Sequence, residues 1–280
     1  MNILYCGDKN ILDGVLISTL SLMDHVREPL YVYLLTAKVD TQTRIFEPLP
    51  QDFANFLNRL LKKHHAESFA RLFDVTAEMK AMPPAANLDS RFTPCCMLRL
   101  YADLVEALPD RILYLDNDVI CRLDPAAFYH QDMSGWELAG CLDYYGSWFF
   151  RKNPLFRDYV NSGVLLLNLQ SIRGTGLFQS CRRLCRDKQM FMPDQSALNR
   201  LCEHKKLCPR KYNEQRKLKK DTVFQHFTTS FRFFPWFHAV SVKPWNIRGM
   251  HETLKLHEYD PILTRYKTLI QQYQQQGVCL

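Results

Sequence analysis

Short apolar runs rich in β-branched and aromatic residues recur along this chain with amphipathic stripes between them, and that alternation narrows the folds open to it. The runs fall at residues 3–6, 30–35, 111–115, 137–141 and 164–169. Between them, Phe53, Phe56, Leu57, Leu60 and Leu61 follow the i, i+3, i+4, i+7, i+8 spacing of one helix face. Leu98, Tyr101, Val105 and Leu108 repeat that spacing up to Pro109. Ile262, Leu263, Tyr266, Leu269, Ile270 and Tyr273 predict a last helix that fades into residues 271–276. Strands alternating with helices imply an α/β domain around a largely parallel sheet. In such sheets ligands bind beyond the carboxyl ends of the strands.

With 280 residues, 47% of them hydrophobic, the chain can bury a sizeable core without a covalent staple. Its charge is unevenly spread. Eight basic residues between 205 and 220 face a single acid, Glu214, which matches the whole chain's net charge of +7. This stripe is suited to phosphate, nucleic acid or an anionic membrane, or is a solvated surface. It divides the chain into an α/β domain over 1–203 and an aromatic-rich part over 204–280, an appended substructure rather than a free domain. The ten cysteines include no Cys-x-x-Cys pair and several lie in apolar runs, so buried thiols of a cytoplasmic protein are expected rather than a disulfide framework or zinc site. No secretory leader or membrane span is expected from the apolar pattern.

Chemistry concentrates where the run at 111–115 ends in Asp116-Asn117-Asp118. In extended backbone, residues i and i+2 share a face, so the two acids can converge. Paired carboxylates repel, and a divalent cation with a preference for oxygen ligands, Mn²⁺ or Mg²⁺, relieves that repulsion. A strand followed by a polar turn with two solvated acids is the plain structural alternative. Two metal chemistries use such a strand end. A phosphatase of the haloacid-dehalogenase type takes the first Asp as nucleophile, but its motif closes the first strand, whereas about 110 residues precede this one. Sugar transfer uses the cation to hold a diphosphate. A non-catalytic protein that reads anionic polymers through the basic stripe is a third reading.

Further motifs favour sugar transfer. They are residues 2–10 (Asn-Ile-Leu-Tyr-Cys-Gly-Asp-Lys-Asn), Arg99, Asp143, the run 159–169 around Asn161-Ser162-Gly163, the pair Asp194-Gln195, Lys211-Tyr212-Asn213, His226, and Lys243-Pro244-Trp245. In order and spacing, from Met1 to about Trp245, these resemble family 8 of the retaining glycosyltransferases, which includes lipopolysaccharide galactosyltransferases and glycogenin. The resemblance implies a Rossmann-like domain of the GT-A type with a mixed, mostly parallel sheet and a C-terminal helical and aromatic extension. It implies Asp116, Asp118 and His226 as metal ligands. Asp8, Asn10, Arg99, Asn117, Asp143, Asn161 and Lys243 are implied as contacts to a UDP-sugar donor, with Gln195 and Asp194 at the reacting sugar. The implied partner is a glycan or glycoconjugate acceptor, with peripheral membrane contact through 204–238 at the inner face and no nucleic acid. One departure stands out. Residues 227–242 separate the histidine from Lys-Pro-Trp, where the family has a few residues with a glycine. They contain no glycine and an aromatic core over 231–238.

Overall fold

The computed structural model describes residues 1–89, 93–144, 158–232 and 238–277, with only the backbone at 230–232, 238, 239, 276 and 277. In chain order the described strands are β1 (Asn2–Cys6), β2 (Tyr31–Thr36), β3 (Val39–Asp40), β4 (Ile45–Phe46), β5 (Phe69–Asp74), β6 (Arg111–Leu115) and β7 (Val119–Cys121). They continue with β8 (Leu138–Leu142), β9 (Val160–Asn168), β10 (Lys205–Cys208), β11 (Phe224–His226), β12 (Ser230–Arg232) and β13 (His238–Val240). Seven form one sheet in the order β10-β8-β9-β6-β1-β2-β5. All its pairings are parallel except the two made by β9, which runs against both β6 and β8. The expected mixed, mostly parallel sheet is what forms.

Alternation of side chains builds a layer on each face of this sheet. Ile3, Val32, Leu34, Leu113, Leu115, Val164 and Leu166 face one core, with helices α1 (Leu12–His25), α2 (Gln51–His64) and the final helix Asp260–Gly277. Their neighbours Leu4, Tyr33, Leu35, Ile112, Tyr114, Leu165 and Leu167 face the other, under the helices Leu177–Asp187 and Pro193–Leu201. Central strands buried on both faces read as continuous apolar runs, which is why β1, β2, β6 and β9 stand out in the sequence. In α2, Phe53, Leu57 and Leu61 are fully buried; each contributes roughly 1.5–3 kcal/mol relative to exposure.

Three expectations change. The stripe from Leu98 to Leu108 begins on a 3₁₀ helix, Pro94–Leu104, not an α-helix. Three residues per turn stack Cys95, Leu98 and Tyr101 in one buried column, and Leu108 falls beyond the helix end. The final helix does not fade at its glutamines but runs to Gly277. Glutamine is a good helix former, and Tyr273 fastens that stretch to α2, with ring centroids 5.5 Å from Phe53 and 5.4 Å from Phe56. Of the seven strands in the central sheet, the two that the apolar runs do not mark, β5 and β10, are its edges. Edge strands tolerate charged side chains, so β10 lies hidden inside the basic stripe. The stretch after residue 203 therefore begins with a strand of the central sheet. Among the described residues, nine cysteines are free thiols, and no helix is long and apolar enough to cross a membrane.

One polar clasp fixes the helix Pro193–Leu201 to the start of β9. Asn199 Oδ1 accepts from Val160 N (2.7 Å), while its Nδ2 donates to the carbonyls of Val160 (2.7 Å) and Gln195 (2.8 Å). Replacing Asn199 by Leu strands these buried backbone groups and should cost about 2–4 kcal/mol. Urea denaturation followed by circular dichroism checks this; an unchanged midpoint would remove the clasp from the stability of the fold.

Candidate active site

The reversal of β9 gathers the site. Because it runs opposite to its neighbours, its first residues lie against the carboxyl ends of β6 and β8, with Val164 opposite Leu115 and Val160 opposite Leu142. Asp116, Asp143 and the segment Asn161-Ser162-Gly163 therefore meet at one end of the sheet, where β1 also delivers Asp8. The strand begins at Val160, so Asn161 to Gly163 are strand residues and not a preceding turn.

Asp116 and Asp118 do converge, although not through extended backbone. The chain turns tightly after β6, with Val119 N donating to the carbonyl of Asp116 at 3.2 Å. β7 then leaves antiparallel to β11, in a register that sets His226 opposite Val119. Phe227 N donates to the Asp118 carbonyl at 3.0 Å and locks this ribbon. His226 Nε2 consequently stands 3.1 Å from Asp118 Oδ1 and 3.5 Å from Asp116 Oδ2. One ligand atom from each of the three residues lies within 4.8 Å of the others. A Cβ on Gly163 would come 2.0 Å from His226 Cε1 and 2.7 Å from Asp116 Oδ2. Only glycine lets the strand pass this close to the cluster. His251, His257 and Asp260 form the other such group among the described residues, on a more exposed surface.

The charges around the cluster are fixed by named partners. His226 Nδ1 lies 3.1 Å from Asn213 Oδ1, and Asn213 Nδ2 donates to Asn161 Oδ1 at 2.9 Å. With Nδ1–H engaged, Nε2 of a neutral ring turns a lone pair towards two carboxylates, an arrangement that requires a proton or cation between them. Burial alone would raise the Asp118 carboxyl, but the Lys243 ammonium and the His226 ring outweigh it and hold its pKa well below the usual carboxylate range. Lys243 Nζ donates to Asp118 Oδ2 and to the Phe227 carbonyl.

Arg99 is buried, not an exposed helix arginine. It donates to Asp116 Oδ1 (3.0 Å) and to the Ser162 carbonyl, pairs with Asp194 Oδ2 (3.2 Å), and stacks 4.0 Å from the Tyr114 ring centre. Burial would discharge it, but Tyr114, Asp194 and Asp116 outweigh that and push its pKa well up. Asp194 is therefore not a helix cap; Met192 holds the cap position, and the acid answers Arg99. Gln195 Oε1 accepts from Ser162 N at 2.9 Å, and its Nε2 donates to Asp143 Oδ2 at 3.3 Å. Asn161 Nδ2 donates to the same carboxylate oxygen at 2.7 Å. A continuous polar network thus joins Asp118, His226, Asn213, Asn161, Asp143 and Gln195.

Asp8 and Asn10 sit after β1, where the Asn10 amide donates to Asp8 Oδ2 at 2.6 Å. Asn117 faces the start of α1; a Cβ at Gly14 would meet its carbonyl at 2.2 Å and Trp245 at 2.8 Å. Of the aromatic core expected over 231–238, residues 233–237 lie outside the described residues. Sequence reasoning gave Asn213 no role, and its place in Lys211-Tyr212-Asn213 was the available signal. Tyr114, whose hydroxyl donates to Asp116 Oδ1 at 2.6 Å, read only as a strand residue.

A family model described as glycosyl transferase family 8 matches residues 2–248. Among characterised proteins, a lipopolysaccharide 1,2-glucosyltransferase of Escherichia coli is 24% identical over 315 residues, covering 97% of this chain and 86% of its own. A protein of that name from Escherichia coli strain K12 is also 24% identical, covering 92% and 76%. Among solved structures, the galactosyltransferase LgtC in complex with donor and acceptor sugar analogues superposes with a TM-score of 0.65 at 18% identity, over 96% of this chain and 95% of its own. GlyE of Streptococcus pneumoniae TIGR4 gives 0.62 at 19%, over 95% and 64%. The fold is of the GT-A type.

Gly163→Ala should push the imidazole off the carboxylates, and a divalent cation held there, tested with Mn²⁺, would bind at least about tenfold more weakly, as changes beside metal ligands do. Electron paramagnetic resonance of free Mn²⁺ measures it; wild-type affinity would move the cation away from this cluster.

Proposed function

Because the chain belongs to glycosyl transferase family 8, and so is a glycosyltransferase, we propose that it moves a hexose, glucose or galactose, from a UDP-sugar to a lipopolysaccharide or related cell-surface glycan, with retention of configuration and with the help of a divalent cation. The observation that carries this reading is the meeting of Asp116, Asp118 and His226 at the carboxyl end of the sheet.

The donor set suits Mn²⁺ or Mg²⁺. Two carboxylates and one imidazole supply hard oxygen ligands and a single nitrogen, and the nitrogen favours Mn²⁺. Gly163 keeps free the space that a methyl group would fill. Such a cation supplies electrostatic stabilisation of the diphosphate as it leaves.

The chain's own groups divide the remaining work. In this reading Asp8 and Asn10 contact the uridine, and Asn117 its ribose. Lys243 releases Asp118 to meet the diphosphate, adding a positive charge where negative charge develops. Asp143 and Asn161 accept from and donate to the sugar hydroxyls. In the transfer, the bond from the anomeric carbon to the diphosphate oxygen breaks with its electron pair going to UDP. The acceptor oxygen bonds to the same face of that carbon, and its proton passes to the departing diphosphate. The anomeric centre is cation-like at the transition state. Gln195, held by Ser162 and Asp143, sets its amide dipole against that centre.

Thermal-shift titration with nucleotide-sugars, with and without Mn²⁺, ranks donors, because a ligand of the native state stabilises as RT ln(1 + [L]/Kd). UDP-glucose or UDP-galactose should lead and should need the metal; no shift with any UDP-sugar would end this reading. Asp118→Ala should abolish turnover and metal-supported UDP binding while the protein stays folded. Gln195→Ala should spare UDP affinity and lower kcat by about 10²-fold or more, the scale of a lost transition-state dipole. A wild-type kcat would take Gln195 away from the reacting carbon.

A further inference from the structure

The basic stripe is not uniform. Lys205 pairs with Asp158 at 3.3 Å, Lys206 Nζ donates to the Asp132 carbonyl at 2.8 Å, and Lys219 reaches Glu214 at 3.6 Å. Arg210 and Arg216 differ from these. Both place their guanidinium over the ring of Tyr144, with Cζ 4.9 and 4.3 Å from its centre, and Arg216 also donates to the Tyr144 hydroxyl at 2.5 Å.

Among the described residues neither arginine meets a carboxylate. Glu214, the acid nearest in sequence, is buried and turned to the Arg216 backbone N–H (3.1 Å) and to Lys219. The residues outside the description carry no Asp or Glu. Two cations on one ring repel each other, and a ring quadrupole attracts each by only about 0.5–1 kcal/mol at an exposed site, without neutralising either. A planar guanidinium fork is, in contrast, a good match for a phosphate or carboxylate.

Position decides whose anion this is. Tyr144 directly follows Asp143, and its N–H is held by Gln215 Oε1 at 3.0 Å. Asp143 belongs to the Asn161 and Gln195 end of the polar network, where the donor sugar is placed above. The donor diphosphate would lie instead beside Lys243 and Asp118, with the nucleoside towards Asp8 and Asn117. An anion gripped by Arg210 and Arg216 therefore approaches from beyond the transferred sugar. We infer that Arg210 and Arg216, braced on Tyr144, form an acceptor subsite for an oxyanion carried by the acceptor glycan, a phosphate monoester or a carboxylate. This inference rests on the transferase reading above.

The test uses deacylated lipopolysaccharide core oligosaccharide in three forms: native, dephosphorylated with hydrogen fluoride, and carboxyl-reduced. Acceptor KM is measured for wild type and for the Arg210→Gln, Arg216→Gln double variant with UDP-glucose or UDP-galactose. The wild-type KM should rise at least tenfold for the form that lacks the recognised oxyanion, which identifies it as phosphate or carboxylate. With native core the double variant should show the same rise, and it should no longer distinguish the three forms. Equal KM values across the three forms in wild type, failure to accept native core, or a double variant that still discriminates would each overturn the inference. Hydrolysis of the UDP-sugar by water in the same preparations reads the donor site alone. Its loss only in the double variant would move the arginines to the donor, and its absence in wild type would remove the transferase reading as well. Sedimentation with phosphatidylglycerol vesicles completes the set. Lost vesicle binding with an unaltered acceptor KM would assign the pair to a membrane surface instead.

Discussion

A single buried guanidinium ties the two halves of the site together. Arg99 reaches Asp116 on one side and Asp194 on the other, with the Ser162 carbonyl between them and Tyr114 beneath. Without it, the buried Asp194 would lose its cation and the half-buried Asp116 a partner, and an unpaired buried charge costs several kcal/mol. The pairing is not a large net source of stability, since burying the ions offsets most of their attraction. What it supplies is position. Asp116 is turned so that Oδ1 is taken by Arg99 and Tyr114, and Oδ2 is the oxygen left facing His226.

The second constraint is topological. A wholly parallel sheet would send Asn161 to the opposite end from Asp116, and the reversal of β9 alone brings them together. The fold class was legible because the central strands are apolar on both faces, and the helix stripes of α2 and the final helix repeat cleanly. The edge strands were not. Lys205 and Lys206 in β10, and Arg71 in β5, carry the charges that edges tolerate, so the pattern read there was one of solvation rather than pairing. Periodicity could not separate a 3₁₀ from an α-helix in residues 94–104, because eight of those eleven residues are buried and both windings satisfy the same apolar string.

In the site, the acids and the imidazole were legible as residue types, while the geometry that joins them was not. Asp116 and Asp118 converge by a turn. His226 arrives more than a hundred residues later through a three-residue ribbon whose register depends on backbone pairing with β7. Asn213 gave only a faint signal, since one side-chain amide bridging two distant residues leaves no spacing to detect. Arg99 was legible only through the family resemblance, because a lone arginine in a helical stripe carries no mark of the two acids that will surround it.

The contact between Lys243 and Asp118 makes the site a place of competition. Lys243 holds Oδ2 of Asp118 while Oδ1 faces His226, so under the proposed function an ion set between the acids and the imidazole would share its carboxylate with the ammonium. A polyanion entering alongside it would offer that ammonium a partner of its own and relieve the sharing in one event. Under the proposed function, ion and nucleotide would then be thermodynamically linked, each strengthening the other's hold by the same factor. The contact that opposes a cation by itself would, in the same reading, favour one that comes with a nucleotide.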